Sequence, residues 1–345
     1  MSAEESADPR AYLKDVLMIR HIFPHHSSLG GSGVLCDYLP GVEMRATDWP
    51  WGKAPEGSRL WRLGSRIFDV GILARAPFYR LIHFVHAEFH PRMTFRLLRR
   101  TAPRTRLLGT IHLPLDYYSL ENTLRAYGHL HGIIALARWQ VDQVRQLLPG
   151  VRAWWVPCGF DMDHRFRPAP CDPDGVFRIV TIGSNYRDWP LTEAILDQAA
   201  HRHPAWRFHL LGLPARQREA YSRRPNVVIE PRLDEAAYFA LIARCQTLLL
   251  PLNFATNNTA VLEAYSVGTP TLCSDLPAIH DYAVRTTRTF RSAEEALAVL
   301  AERAAWGLDQ WRAARAETRE DGRRFDWRNV ARQVSTVYEE MLHGP

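Results

Sequence analysis

The residues best placed to do chemistry fall in one stretch, positions 248–282, LLLPLNFATNNTAVLEAYSVGTPTLCSDLPAIHDY. Asn253, Asn257, Asn258 and Thr259 gather in its polar part, and Glu263 follows among apolar neighbours. The pattern reads as a buried strand over 247–250, a polar turn over 253–258, a helix over 259–266, a Gly-Thr-Pro corner and a second strand over 270–274. A helix that starts just after a strand presents unpaired backbone N–H groups at its positive end, where phosphate binds well. Glu263 lies one turn inside, where its carboxylate can accept hydrogen bonds from sugar hydroxyls. One short unit thus has the means to hold both halves of a nucleotide.

A comparable loop lies near the start. Residues 15–22, DVLMIRHI, read as a buried strand, followed by FPHHSSLGGSG and a helix-like VLCDYL. Gly30, Gly31 and Gly33 permit tight backbone geometry beside an anion, and His25 and His26 stand close to them. The spacing is not G-x-G-x-x-G, so a dinucleotide fingerprint is not supported.

These loops need a scaffold, and the chain supplies alternating elements. Strands are expected at 42–46, 80–86, 106–112, 132–137 and 153–156, with helices at 91–100 and 138–148; the region of Trp49, Trp51 and Trp61 reads as loop or short helix without a fixed place. Pro157, Pro168, Pro170, Pro173 and Gly175 then mark a linker. Beyond it the alternation restarts, with strands at 177–182, 206–211 and 227–230 and helices at 191–202, 234–244, 293–306 and 309–322. A closing helix spans 326–342, with Asp326 as a plausible N-cap. The expectation is two doubly wound α/β domains, 1–168 with a returning C-terminal segment 326–345, and 169–325, whose ligands bind at strand C-terminal ends facing a central cleft.

Length and composition agree. The chain has 345 residues, 46% hydrophobic and 23% charged, too long for one ordinary core and typical of a soluble globular protein. No apolar run is long enough to span a bilayer and the first residues lack a signal-peptide pattern, so a cytoplasmic protein is expected. The net charge of +6 comes almost wholly from arginines spread along the chain, without a nucleic-acid-binding signature. A phosphorylated small molecule or an anionic membrane accounts for it as well. The five cysteines form no C-x-x-C pair, which argues against disulfides and zinc. His83, His86 and His90 fall where a strand enters a turn, which would spread their rings over different faces, so no metal site is expected.

Several segments together resemble the retaining GT-B glycosyltransferases of family 4. The likeness covers most of the chain: GIIALARWQVDQVRQLLPGVRAWWVPCGFDMDHRFRP is similar to the family's end of domain one and its V-P-x-G-x-D linker, FRIVTIGS to its first strand of domain two, NNTAVLEAYSVGTPTLCSDLPAIHDY to its donor segment, and FDWRNVARQVSTVYEEML to its closing helix. The resemblance implies the GT-B fold, with a C-terminal helix crossing back to the first domain, and sugar transfer from a nucleoside-diphosphate sugar with retention and without an essential metal or other cofactor. It implies that Glu263 binds the donor ribose and that Asn257, Asn258 and Thr259 meet the diphosphate. The family's first glutamate, with seven residues between it and the second, is replaced here by Ala255, leaving Asn253 and Asn257 as the nearest polar substitutes. In GSNYRDWP, Gly183 and Ser184 follow the strand, Ser184 stands where the family has an arginine, and Arg187 is the nearby cation able to fork onto phosphate oxygens. TIHLPLDYY resembles the family's T-x-H-D turn and implies that His112 contacts the donor sugar or leaving phosphate, with Asp116 as the displaced neighbour.

The expected partners are a nucleotide sugar and an acceptor whose identity is open: a saccharide, a lipid-linked glycan or a small molecule. Arg92, Arg96, Arg99 and Arg100, with Met93, Phe95, Leu97 and Leu98 nearby, suggest peripheral contact with an anionic inner-membrane face. Two alternatives stay open: a nucleotide-sugar epimerase or hydrolase on the same fold, and a catalytically weak nucleotide-binding scaffold.

Overall fold

The computed structural model describes residues 11–21, 29–46, 59–90, 92–117, 119–168, 172 and 174–344. The chain divides into two compact units, one made of Met1–Gly159 with Trp327–Pro345 and the other of Phe160–Asp326. The division falls after Gly159, inside the proline-marked linker, whereas the sequence reading sets the boundary at residue 168.

The first unit is a six-stranded parallel sheet of β1 (Val16–Arg20), β2 (Glu43–Ala46), β3 (Leu81–Phe84), β4 (Arg106–Ile111), β5 (Gly132–Ala135) and β6 (Arg152–Trp155), in the order β2-β1-β3-β4-β5-β6. Residues of β1, β3, β4 and β5 are buried almost throughout, as strands covered on both faces must be. The covering helices include α1 (Arg59–Arg75), α2 (Arg92–Thr101), α3 (Leu120–Tyr127) and α4 (Arg138–Leu147). Two of these, α1 and α3, are not foreseen: α1 carries Gly64 and Gly71, which weaken its helical signal, and α3 is a single eight-residue segment. Of VLCDYL, residues 34–38 lie in a 3-10 helix, Ser32–Tyr38, with Leu39 as its C-cap. On α2, Phe95 and Leu98 are fully buried in the unit's core, while Arg96, Arg99 and Arg100 are exposed. The outward face of α2 is therefore basic, and those two apolar residues are committed to the protein interior.

The second unit is a six-stranded parallel sheet of β7 (Arg178–Ile182), β8 (Arg207–Leu211), β9 (Val227–Ile229), β10 (Thr247–Leu250), β11 (Thr271–Ser274) and β12 (Arg288–Phe290), in the order β12-β11-β10-β7-β8-β9. Its helices are α5 (Trp189–Arg202), α6 (Ala215–Tyr221), α7 (Glu235–Arg244), α8 (Thr259–Val267), α9 (Pro277–Tyr282), α10 (Ala293–Ala304) and α11 (Leu308–Gly322). The short elements α6, α9 and β12 have no periodic signal of their own and are not expected from the sequence. The strand order reverses between β7 and β10, so their C-terminal ends flank the crevice where doubly wound sheets bind ligands. At the opposite end, the buried guanidinium of Arg303 donates to Thr247 Oγ1 (3.2 Å) and to the carbonyls of Thr271 (3.0 Å) and Thr286 (2.8 Å), tying β10 and β11 together.

The last helix, α12 (Trp327–His343), belongs to the first unit, and its buried face is Trp327, Val330, Ala331, Val334, Val337, Tyr338 and Met341. Trp327 Nε1 donates to the Leu29 carbonyl at 3.0 Å, and a Cβ on Gly159 would run into the Trp327 ring. Asp326, just before the helix, accepts from the Met162 N–H at 3.3 Å through its carboxylate.

Candidate functional site

In the second unit, the loop after β7 and the loop after β10 are joined along their length. The Asp188 N–H donates to Pro251 O (3.0 Å) and the Asn253 N–H to Tyr186 O (3.1 Å), while Arg187 and Leu252 form an antiparallel bridge. The Tyr186 and Phe254 rings meet edge to face at 5.1 Å. Gly183 and Ser184 leave β7 at this point, with Gly183 at φ 79 and its N–H on the Leu211 carbonyl at 2.9 Å. Tyr186 has φ 55, a left-handed conformation that is uncommon for a side chain of this size and stores strain in the loop. Asn253, Asn257, Asn258, Thr259, Gly183, Ser184 and Arg187 are thereby brought to one end of the sheet.

Asn258 is the N-cap of α8; its carbonyl accepts from the Val261 N–H at 3.1 Å, and its side chain makes no capping hydrogen bond. It ends at Gly268 with φ 80, where a Cβ would meet the Arg315 carbonyl oxygen at 2.8 Å. Every residue from Ala260 to Val267 is buried, and Glu263 is the one charged residue among them. A carboxylate in such surroundings must find partners. The Tyr238 hydroxyl, from α7, donates to Glu263 Oε2 at 2.5 Å. Burial pushes the Glu263 carboxyl up to about 7, against the Tyr238 hydrogen bond and the charge of Arg187, which favour its ionised form. Burial likewise drives the Tyr238 phenol well above its ordinary value, with the Glu263 charge adding to it.

Arg187 is buried, and burial lowers its guanidinium to about 10. Its Nε donates to Ile182 O at 3.0 Å, Nη1 to Asn185 O at 2.9 Å, and Nη2 to Ile182 O as well. The fork expected to meet phosphate is thus engaged by carbonyls of its own loop, and the residue acts on its surroundings through its charge. Behind α8, His164 Nε2 bonds Ser266 Oγ (3.0 Å), which donates to the Glu263 carbonyl (2.7 Å); the His164 ring lies 4.3 Å from that of Phe239. Neither Tyr238 nor His164 stands out in the sequence. The Asp234 side chain, accepting from the Ala237 N–H at 2.8 Å, fixes the start of α7 and puts Tyr238 one turn in. That cap is a legible signal, but what Tyr238 meets depends on a helix distant in sequence.

In the first unit, His112 follows β4 and Gly30 and Gly31 follow β1; His25 and His26 lie outside the described residues. Gly31, at φ 105, precedes the 3-10 helix, and Arg20 at the end of β1 donates to the Gly33 carbonyl at 2.8 Å. Glu88 Oε1 accepts from the His112 N–H and, at 3.0 Å, from the Leu113 N–H, and lies 3.6 Å from His112 Nδ1. Burial pushes the Glu88 carboxyl up, but His112, through charge and hydrogen bonds, outweighs it and leaves the group below its ordinary value. The His86 ring stacks on His112 at 4.4 Å, and His21 and His90 are 5.1 Å apart. His83 turns to the other face, between Tyr338 Oη and Thr110 Oγ1 at 2.7 Å each. His86 and Glu88, both from the segment after β3, meet His112 after β4 and His21 after β1, and no local sequence pattern links those three strand ends. Among the described residues, no group of three or more His, Cys, Asp or Glu side chains is arranged to hold a metal ion, and no helix is long and apolar enough to cross a membrane.

No protein-family model and no curated protein matches the chain. Solved structures do. HepE from Anabaena, solved in complex with UDP and glucose, is 13% identical with a TM-score of 0.64, over 94% of this chain and 99% of that one. The sucrose-phosphate synthase of Thermosynechococcus elongatus is 15% identical with a TM-score of 0.67, over 96% and 99%. The trehalose-6-phosphate synthase OtsA is 11% identical with a TM-score of 0.71, over 94% and 99%. At these identities the likeness establishes the fold, and the two six-stranded parallel sheets with their helices are the GT-B fold.

Proposed function

We propose that the protein is a glycosyltransferase that moves a hexose-type sugar from a nucleoside-diphosphate sugar to an acceptor, with retention of anomeric configuration and without an essential metal. The observation that carries this is the buried Glu263 one turn inside α8, at the strand-order reversal of the second sheet. Its carboxylate accepts from the ribose hydroxyls. The open N-terminus of α8, with Asn257, Asn258 and Thr259, receives the diphosphate. Departure of the sugar leaves negative charge on that diphosphate, and the helix end and the Arg187 charge stabilise it in place, as preorganised dipoles do in a site with little water. Ser184 and Gly183 border the phosphates from the loop after β7, and Asn253 is exposed in the loop after β10. The fold neighbours solved with UDP and with UDP-glucose support a nucleotide-sugar donor. The acceptor is assigned to the first unit, where Gly30, Gly31 and His112 stand at strand ends, and His112 retains the sugar-handling role that the family resemblance implies.

The decisive test is a thermal-shift screen against UDP, GDP, ADP and dTDP sugars, since a true donor raises stability by mass action. Glu263→Ala is expected to abolish that shift, and a folded variant with near-normal nucleotide-sugar turnover would sink the assignment. Ala255, buried where the family has a glutamate, favours a second reading, a nucleotide-binding protein of weak turnover. Sugar release or transfer by the wild type above the spontaneous rate removes it. A peripheral site at an anionic inner-membrane face is also proposed, on the exposed Arg96, Arg99 and Arg100 of α2. Failure of the wild type to bind vesicles containing anionic lipid would end that part of the proposal.

A further inference from the structure

We propose that Tyr238 is the positioning residue of the nucleotide site: its hydroxyl, bonded to Glu263 Oε2, fixes the orientation and charge of that carboxylate and leaves Oε1 for the ribose of a nucleoside diphosphate. The inference rests on the nucleotide-site reading above. Glu263 stands in a helix buried from Ala260 to Val267, with no charged neighbour on its own helix. The groups that act on it come from elsewhere: Tyr238 from α7 by a 2.5 Å hydrogen bond, and Arg187 from the loop after β7 by its charge. Arg187 is committed to the carbonyls of Ile182 and Asn185, so Tyr238 supplies the directional contact.

The consequences are specific. A carboxylate that accepts a hydrogen bond from a phenol is favoured in its charged form, because the bond is stronger to the anion than to the acid. The phenol is itself held as a donor, since burial keeps it protonated. An ionised Glu263 is the better acceptor for ribose hydroxyls, so removing the phenol should weaken nucleotide binding at neutrality and more strongly below it, where the carboxyl is largely protonated. At high pH, where the carboxyl is ionised regardless, the loss should shrink. A loosened α7 would instead weaken binding by the same factor at every pH.

The experiment uses the full chain as wild type, Y238F, E263Q and the double variant. Glutamate labelled with carbon-13 at its carboxyl reports the Glu263 titration in the empty site by NMR, assigned by its absence in E263Q. Calorimetry with UDP, GDP, ADP and dTDP reports binding at pH 6, 7 and 9. The expected result is a Glu263 titration displaced upward in Y238F. If that displacement is about one pH unit, affinity at pH 7 falls roughly fivefold and returns to near the wild-type value by pH 9. In the E263Q background, Y238F should produce no pH-dependent loss. An unmoved carboxyl titration, or a loss equal at all three pH values, overturns the proposal while leaving the nucleotide site standing. If none of the four nucleotides binds the wild type, the nucleotide-site reading fails and this role fails with it, whatever the titration shows.

Discussion

Replacing Glu263 by glutamine removes a charge from a buried helix while keeping the shape and an oxygen for the Tyr238 hydroxyl to meet. The carboxyl titrates near 4.5 in an unfolded chain and at about 7 in the folded one, because burial outweighs Tyr238 and Arg187. Between those two values the folded state holds a proton that the unfolded state has released, so stability falls as pH rises and reaches its full deficit above about 7. At about 1.4 kcal/mol per pH unit, the ionised carboxylate costs the second unit roughly 3 kcal/mol at pH 8. Glu263→Gln should therefore raise stability by about that amount at pH 8 and change it little at pH 5. Urea titrations at both pH values, read through hydrogen exchange of the α8 and β10 amides, follow the second unit on its own. A wild-type and variant difference that is equal at pH 5 and pH 8, or a variant less stable at pH 8, would refute the reasoning. The same substitution should weaken nucleotide binding, so stability and binding move in opposite directions at one residue, the pattern expected where a site is strained for its function.

The first unit should respond to acid with the opposite sign. Burial holds His21 and His83 down to about 3, so between about 6.5 and 3 the unfolded chain takes up protons that these rings refuse, and stability drops as pH falls; urea resistance, followed by circular dichroism, that stays constant from pH 7 to pH 4 would contradict this. Gly268→Ala forces a side chain into a φ of 80 with its Cβ 2.8 Å from the Arg315 carbonyl oxygen, and should cost about 2 kcal/mol or more by urea unfolding. Asp234→Ala removes the cap bonded to the Ala237 N–H and should cost about 1 kcal/mol, with increased exchange of the first α7 amides as its local signature.

Where a segment is periodic and apolar, its place in the fold is legible from its residues alone. The runs at β1, β3, β4, β7, β8 and β10 are buried throughout most of their length, as their apolar character requires. The stretch around Glu263 is legible for a related reason: a lone carboxylate in an apolar helix is costly to bury, and the polar turn ahead of it marks the helix end that a ligand can reach. What escapes is short or made by convergence. A three-residue strand such as β12 and a six-residue helix such as α9 carry too few turns for a period. The pairing of Tyr238 with Glu263 and of Glu88 with the His112 backbone joins residues 25 and 24 positions apart, from separate elements, and no local pattern encodes it. The inward turn of Arg187 is of the same kind: its type announces a cation, and only the loop path shows that the carbonyls of Ile182 and Asn185 claim its donors.

The return of α12 to the first unit bears on how the chain is made. The second unit is one uninterrupted run, Phe160–Asp326, whereas the first needs Trp327, Tyr338 and Met341 from the far end to complete its interior. During synthesis the inserted unit has all of its residues before its host does. The host must wait with an exposed apolar seam, including the backbone at Gly159 against which the Trp327 ring packs, until the final helix arrives. The order of completion is thus the reverse of the order in which the two units begin.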